Sequence, residues 1–360
     1  MSAEMVKYDG GVKRHIAEAA LLQTHVDLLL QEGVIERTTA EKVVATVKPF
    51  VVEEIEKMRL RFICEPHTNV LTLSKPSEEM LDLCTAQDLM EVETEGVIQD
   101  DFPWFYGQFE IPEDKRDYYC FTFKGTWYRL IKVPTGGRAE PNMAHALTAS
   151  LTLHAHEGAS LLGHRTKHNS FVDNARFHGS ETSSTAAMEI FRRLAKDAGI
   201  TISTETPKWC TSYVFLGIQI DHKTKTVSLA EKTVRKLGIV RENLEEIPEE
   251  TTLKNLLSFL GLMVWSASIL GQIKSSWYPL LKFTRRRIRC YSMKDTVNRW
   301  PIALRTAKMI VASLIENEAR CCAHNTKEVT AFTDASKTGW GVVIFAADEY
   351  RSFGRRLESR

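Results

Sequence analysis

Two aspartates stand where short β-type runs end: Asp101 after Val97-Ile98-Gln99-Asp100, and Asp173 after Phe171-Val172. Asp173 is followed by Asn174 and then Ala175-Arg176-Phe177-His178-Gly179, so the Asp173-Asn174 pair falls in a tight turn, a position both residue types favour. Carboxylates are hard oxygen donors. Two of them on neighbouring strands can hold divalent cations such as Mg2+ while leaving coordination positions open for substrate and water. Asn174 has the shape of an aspartate and keeps one oxygen, but lacks the charge.

Carboxylates so far apart in sequence meet only if the fold pairs their strands. A helix is expected over residues 12–32, where Ile16, Ala19, Ala20, Leu22, Val26, Leu29 and Leu30 fall near helical spacing and Gly33 ends the run. Short β-type runs follow from Arg59 to Leu73, then an acidic stretch from Glu78 to Glu95 that reads as a solvated face or loop. Cys120–Phe123 and Thr126–Leu130 around Lys124-Gly125 predict a β-hairpin. Helices are expected over 142–155 and 184–198, the second stopped by Gly199. Strands resume over Tyr213–Ile220, and the pattern from Thr251 to Leu281 is helical. A basic linker from Arg285, a helix over 301–317 and strands over Val329–Phe345 complete the chain. Residues 95–222 thus predict an α+β domain on an antiparallel sheet.

At 360 residues, 43% apolar and 26% charged, the chain reads as an ordinary globular protein with room for two or more domains. A net charge of +1 gives no global basic field, so any nucleic-acid contact must come from local patches. The seven cysteines form no Cys-x-x-Cys or Cys/His zinc spacing and are expected to be reduced thiols of an intracellular protein. No apolar run reads as membrane-spanning and no signal-peptide core opens the chain, so a soluble protein without a membrane partner is expected.

Several segments resemble, in the same order, reverse transcriptases of retrotransposons and retroviruses. Phe171-Val172-Asp173-Asn174 resembles the hairpin that presents a metal-binding aspartate to the primer end, where the family usually carries two adjacent aspartates. Asp101, with Tyr106 five and Ile111 ten residues on, resembles the first metal-binding strand; Asp100 would put Glu110 at the aliphatic position. Pro134-Thr-Gly136-Gly-Arg-Ala-Glu-Pro141 is similar to the stretch before the palm helix. Phe215-Leu216-Gly217-Ile218 is similar to the strand closing the palm. Gly261-Leu-Met-Val-Trp265 resembles the thumb helix, and Thr333-Asp334-Ala335-Ser336 with Gly339-Trp340-Gly341 resembles the opening of a ribonuclease H domain.

The resemblance implies a right-hand polymerase fold followed by a connection and a partial ribonuclease H-like segment. Its divisions would be an N-terminal helix and fingers over 1–95, palm 96–222, thumb 223–282, connection 283–327 and ribonuclease H-like segment 328–360. It implies RNA-directed DNA polymerase activity with two Mg2+ (or Mn2+) ions held by Asp101 and Asp173, Asn174 completing the catalytic turn. Arg61, with Arg59 and Lys57 nearby, would hold the triphosphate; Phe102, Tyr106 and Gly136 would contact the incoming nucleotide, and Lys208 would lie near the pyrophosphate. Tyr106 would lie under the sugar and exclude a 2′-hydroxyl. Gly261 and Trp265 would face the primer–template duplex. Arg285, Arg286 and Arg287, with Arg289, Lys294 and Arg299, would contact its phosphates. The partners implied are an RNA or DNA template with primer, and deoxynucleoside triphosphates.

Asn174 departs from the family pattern, although polymerases of some negative-strand RNA viruses carry Gly-Asp-Asn in this turn. Thr135 stands where a larger or amide side chain is commoner. Asp334 resembles the first metal ligand of ribonuclease H, but the sequence ends at Arg360, before that nuclease's full acidic set, so no ribonuclease H activity is expected. Two readings stay open: an active polymerase, or a non-catalytic descendant that binds nucleic acid as a scaffold.

Overall fold

The computed structural model describes residues 18–54, 59–66, 90, 92–137, 140–246, 250–272, 274–298, 300–322, 329–336, 339–346 and 349–356. Helices and antiparallel sheets alternate in an α+β arrangement, and the chain divides into a large unit ending at Cys322 and a small one from Ala323. Lys57, Arg299, residues 12–17, the expected strand Val70–Leu73 and most of the acidic stretch lie outside the described residues.

The sheet that matters most is three-stranded. Strand β9 (Asn174–Gly179) lies between β5 (Gly96–Asp101) and β8 (Lys167–Phe171), antiparallel to both. Two helices, α2 (Glu140–Leu161) and α3 (Glu181–Asp197), pack with it into one core. Ala144, Ala155 and Ala159 of α2 and Ala187 and Ala195 of α3 are almost fully buried; such small side chains let helix and sheet approach closely around Phe177 and Phe191. Helix α3 starts where the Ser180 side chain accepts a hydrogen bond from the Ser183 N–H, and its chain turns away through Gly199 at φ +75°.

On the N-terminal side, β2 (Ile35–Thr38), β6 (Cys120–Phe123) and β7 (Thr126–Leu130) form a sheet whose expected 120–130 hairpin turns through Lys124 and Gly125, both with positive φ. A second sheet joins β1 (Glu18–Ala19), β3 (Val47–Glu54) and β4 (Arg59–Pro66). The helix expected over 12–32 is therefore corrected: α1 covers only Gln23–Gln31, because Glu18 and Ala19 pair with Val52 and Val51 of β3.

Beyond the central sheet, β10 (Ser212–Phe215), β11 (Ile218–Asp221), β12 (Thr226–Leu229) and β15 (Arg320–Cys321) form a four-stranded sheet, and β13 (Glu250–Thr252) pairs with β14 (Thr296–Asn298). The four-stranded sheet shares the largest core with α4 (Glu231–Glu246), α5 (Leu253–Leu270), α6 (Tyr278–Ile288) and α7 (Pro301–Glu316). Three expectations change here. The Phe215–Ile218 stretch, matched to a single closing strand, is instead the turn between the two strands of the 213–220 segment, because Leu216 and Gly217 both take positive φ and reverse the chain. Arg285, Arg286 and Arg287 form the last turn of α6 rather than a linker, and α6 crosses the boundary expected at 282/283. Helix α5 is long and apolar enough to span a membrane by length and composition, which the sequence reading denied to every run. Its Leu253, Leu256, Phe259, Met263, Ala267 and Ile269 are buried in the protein core. The small unit holds one antiparallel sheet of β16 (Val329–Ala335), β17 (Gly339–Ala346) and β18 (Glu349–Arg356).

Candidate active site

Strand pairing brings the two carboxylates together. In the β5–β9 register Asp101 stands opposite Asn174, and the Phe102 N–H donates to the Asp173 carbonyl at 3.1 Å. Asp173 occupies the two-residue turn between Phe171 and Asn174, which are themselves a register pair of β8 and β9. Two-residue hairpins want positive φ at their first turn residue, a place usually given to glycine, asparagine or aspartate. Here it is Val172, at φ +54°. A left-handed conformation costs an L-residue with a Cβ roughly 1–2 kcal/mol, and strain of this kind persists only where the surroundings hold it. The Val172 N–H donates to Nδ1 of His145 on α2 at 3.2 Å.

Asp100 and Asp101 point to opposite faces of β5, as successive strand residues must. Asp100 is sequestered in an ion pair with Arg192 of α3, whose guanidinium also donates to the carbonyls of Ser203 and Glu205. Asp101 is exposed. The geometry thus favours Asp101 as the available carboxylate. Burial pushes the Asp173 carboxyl above its ordinary value and the neighbouring charge of Asp101 adds to the rise; a hydrogen bond from its own backbone, the Arg61 guanidinium and the Asn174 amide pull it down. The amide of Asn174, oriented by its hydrogen bonds, donates Nδ2–H to Asp173 Oδ1 at 2.8 Å.

Such a pair suits a hard divalent cation, which would offset the burial of the Asp173 charge and relieve the added repulsion from Asp101. Among the described residues no group of three or more His, Cys, Asp or Glu side chains is gathered as a metal cluster. A cation at Asp101 and Asp173 would therefore take further ligands from water or substrate oxygens, as Mg2+ commonly does.

Tyr106 lies beside this pair. Burial first, and then the charges of Asp173 and Glu140, push its phenol above the ordinary value. Phe102 is corrected: it is 3% exposed, stacked on Phe105 with ring centroids 4.7 Å apart and packed on Phe191. Its ring belongs to the core and is closed to a nucleotide. Gly136, at φ +127°, makes its close approach to protein backbone: a Cβ there would lie 2.6 Å from the Cys64 carbonyl oxygen of β4. The Cys64 N–H also donates to the Thr135 carbonyl, so this loop docks the strand that carries Arg61. Arg61 is exposed, and its charge reaches Asp173.

The remaining expected residues stand further off. Lys208 is exposed beside the bridge pair Val97–Cys210, further back along β5 than Asp101. Gly261 lies on the exposed side of α5 with open space where a Cβ would be, whereas Trp265 packs partly against the helical core. Arg285 and Arg286 are exposed; Arg287 lies over the rings of Phe283 and Tyr291 at 4.9 and 5.4 Å. Asp334 is exposed on β16 of the small unit, where its carboxylate accepts the Ala335 N–H at 2.8 Å.

Sequence reasoning gave no role to three residues around the site: His145, Arg192 and Glu140, the last of which lies within the Pro134–Pro141 stretch.

No protein-family model matches the chain, and no curated protein matches it in sequence. Solved structures do. The foamy viral protease-reverse transcriptase in complex with dsDNA superimposes with a TM-score of 0.58 at 17% identity, covering 93% of this chain and 66% of that one. The dRH form of that protein with dsDNA gives 0.61 at 16% identity, over 96% of this chain and 60% of that one. Its complex with an RNA/DNA hybrid gives 0.61 at 16% identity, over 97% and 46%. The chain thus spans about half to two thirds of those chains, and at these identities the likeness is one of fold. The chain has a reverse-transcriptase-like fold.

Proposed function

We propose that the chain is an RNA-directed DNA polymerase of a retroelement that extends a primer with deoxynucleoside triphosphates. The observation that carries this reading is that Asp101 ends the strand paired with β9 while Asp173 sits in the turn leading into β9, the charges of the two interacting and that of Asp173 reaching Tyr106. In this reading 96–222 is the palm, β3–β4 belongs to the fingers, and α4 to α7 supply the thumb and connection. The foamy viral relatives were solved with dsDNA and with an RNA/DNA hybrid. By analogy the partner here is a primer–template duplex.

Asp101 and Asp173 would hold two Mg2+ or Mn2+ ions. When bound, these supply activation of the primer 3′-hydroxyl and neutralisation of the departing pyrophosphate. The protein's own part is positional. The Pro134–Gly136 loop fixes β4 so that Arg61 faces the triphosphate, and Tyr106 walls the sugar side and excludes a 2′-hydroxyl. The Asn174 amide holds one oxygen of Asp173 in place.

Asn174 also favours a second reading, a nucleic-acid-binding scaffold descended from such an enzyme, because the amide removes one negative charge from the cation site. Primer extension on an RNA template with Mg2+ or Mn2+ separates the two. An extending parent and an inert Asp173→Asn variant uphold the polymerase. An inert parent rescued by Asn174→Asp identifies a disarmed one. If none extends while duplex binding persists, the scaffold reading holds.

A further inference from the structure

We infer that His145 is a positioning residue for the turn that carries Asp173, a role that rests on the polymerase reading above. Three observations converge on it. First, Val172 is held at φ +54°, a conformation a β-branched side chain resists. Left free, it would relax by rotating the peptide that precedes Asp173. Second, the Val172 N–H is directed to His145 Nδ1 at 3.2 Å, and His145 is 5% exposed. With His145 removed, that N–H would lose this acceptor in a largely closed setting. Third, the carbonyl on the far side of the same turn, that of Asp173, accepts the Phe102 N–H at 3.1 Å. The carboxylate is therefore carried on a short segment tied at two points, to α2 through His145 and to the end of β5 through Phe102.

The chemistry of imidazole suits the task. Nδ1 accepts only when it carries no proton, so this hydrogen bond selects the Nε2–H tautomer. A planar ring with two side-chain torsions fixes that acceptor more rigidly than a flexible chain would. Helix α2 is itself well seated: Ala144 and Thr148 next to His145 are buried, and the Thr148 and Thr152 hydroxyls donate back to the carbonyls of Ala144 and Thr148. In this role His145 is a positioning group and needs no contact with substrate. It acts through the backbone of Val172, so its loss should misplace the carboxylate, an effect that geometry-sensitive chemistry magnifies.

The test uses the full chain and the near-isosteric pair His145→Gln, which retains an acceptor, and His145→Met, which does not; His145→Phe replaces the latter if it fails to fold. The readouts are hydrogen exchange of the Val172 amide, Mn2+ affinity, kcat and KM for primer extension, and duplex Kd. Expected for His145→Met are faster exchange at Val172, weaker Mn2+ binding and a kcat lowered about 10- to 100-fold. Its duplex Kd should stay at the parent value, and His145→Gln should recover most of the loss. Unchanged Mn2+ affinity and kcat in His145→Met would overturn the positioning role while leaving the polymerase reading intact. Equal losses in both variants that include duplex binding would reduce His145 to packing. A parent that neither extends a primer nor binds Mn2+ would overturn both readings together.

Discussion

The α-carbon of Gly136 lies so close to β4 that a Cβ on it would sit 2.6 Å from the carbonyl oxygen of Cys64. This contact and the Cys64 N–H bond to Thr135 lock the loop before α2 onto the strand that bears Arg61. Gly136→Ala would bring both a backbone collision and a strained φ. We expect it to destabilise the fold by roughly 1–3 kcal/mol and to raise KM for the nucleotide more than it lowers kcat, because Arg61 is displaced. Urea unfolding and steady-state extension check this. Parent-like values on both would mean the loop gives way without moving β4.

Asp173 yields a pH prediction. Its folded-state carboxyl lies above its ordinary value, chiefly through burial. Between the two values the folded chain holds more protons than the unfolded one, so stability falls as pH rises through that interval. Without divalent ions Asp173→Asn should therefore be more stable than the parent at pH 7. The difference should shrink as pH drops through the carboxylate range, and Mg2+ should stabilise the parent but not the variant. Thermal unfolding midpoints across pH report this directly; a variant less stable at every pH contradicts it.

Tyr106 lies within reach of the charges of Asp173 and Glu140. If its ring bars a 2′-hydroxyl, Tyr106→Val should raise kcat/KM for ribonucleotides relative to deoxyribonucleotides about tenfold or more, a change of ~1.4 kcal/mol in discrimination. Competition extension assays with paired triphosphates measure the ratio. A variant that loses stability with discrimination unchanged would make Tyr106 a packing residue only.

What the sequence disclosed and what it hid follow one physical divide. The 171–174 hairpin was legible because a turn-forming pair interrupts an apolar run, and the hairpin at Lys124-Gly125 for the same reason. The spacing to Tyr106 and Ile111 in the family resemblance also favours Asp101 over Asp100, in agreement with the Arg192 ion pair. Contacts made across the fold left no local trace. Arg192 meets Asp100 from 92 positions away, and the glycine requirement at Gly136 is set by the passing backbone of β4. Ala19 counted toward a helical spacing, but it and Glu18 pair with β3, a contact made across the fold. Phe102 was misread by proximity: its neighbour Asp101 faces solvent while Phe102 turns inward to Phe105 and Phe191. His145, a lone histidine in a helix of small residues, has no sequence signature.

The arginines of α6 permit a graded test of the proposed duplex contact. Arg285 and Arg286 project from the last turn, where positive charge suits the helix dipole, so their presence there does not require a ligand. Arg287 differs, since its guanidinium lies over Phe283 and Tyr291 and contributes to packing. Phosphate contacts make binding salt-dependent through counterion release. Replacing Arg285 or Arg286 by Gln should weaken primer–template binding uniformly across sequences and reduce the slope of log Kd against log salt by about 1 each. Arg287→Gln should instead lower the unfolding midpoint, with a smaller change in slope. Fluorescence anisotropy of a labelled duplex over a salt series distinguishes these cases. Unchanged slopes for Arg285 and Arg286 would leave them as dipole-compensating surface charges and move the proposed duplex path elsewhere on the molecule.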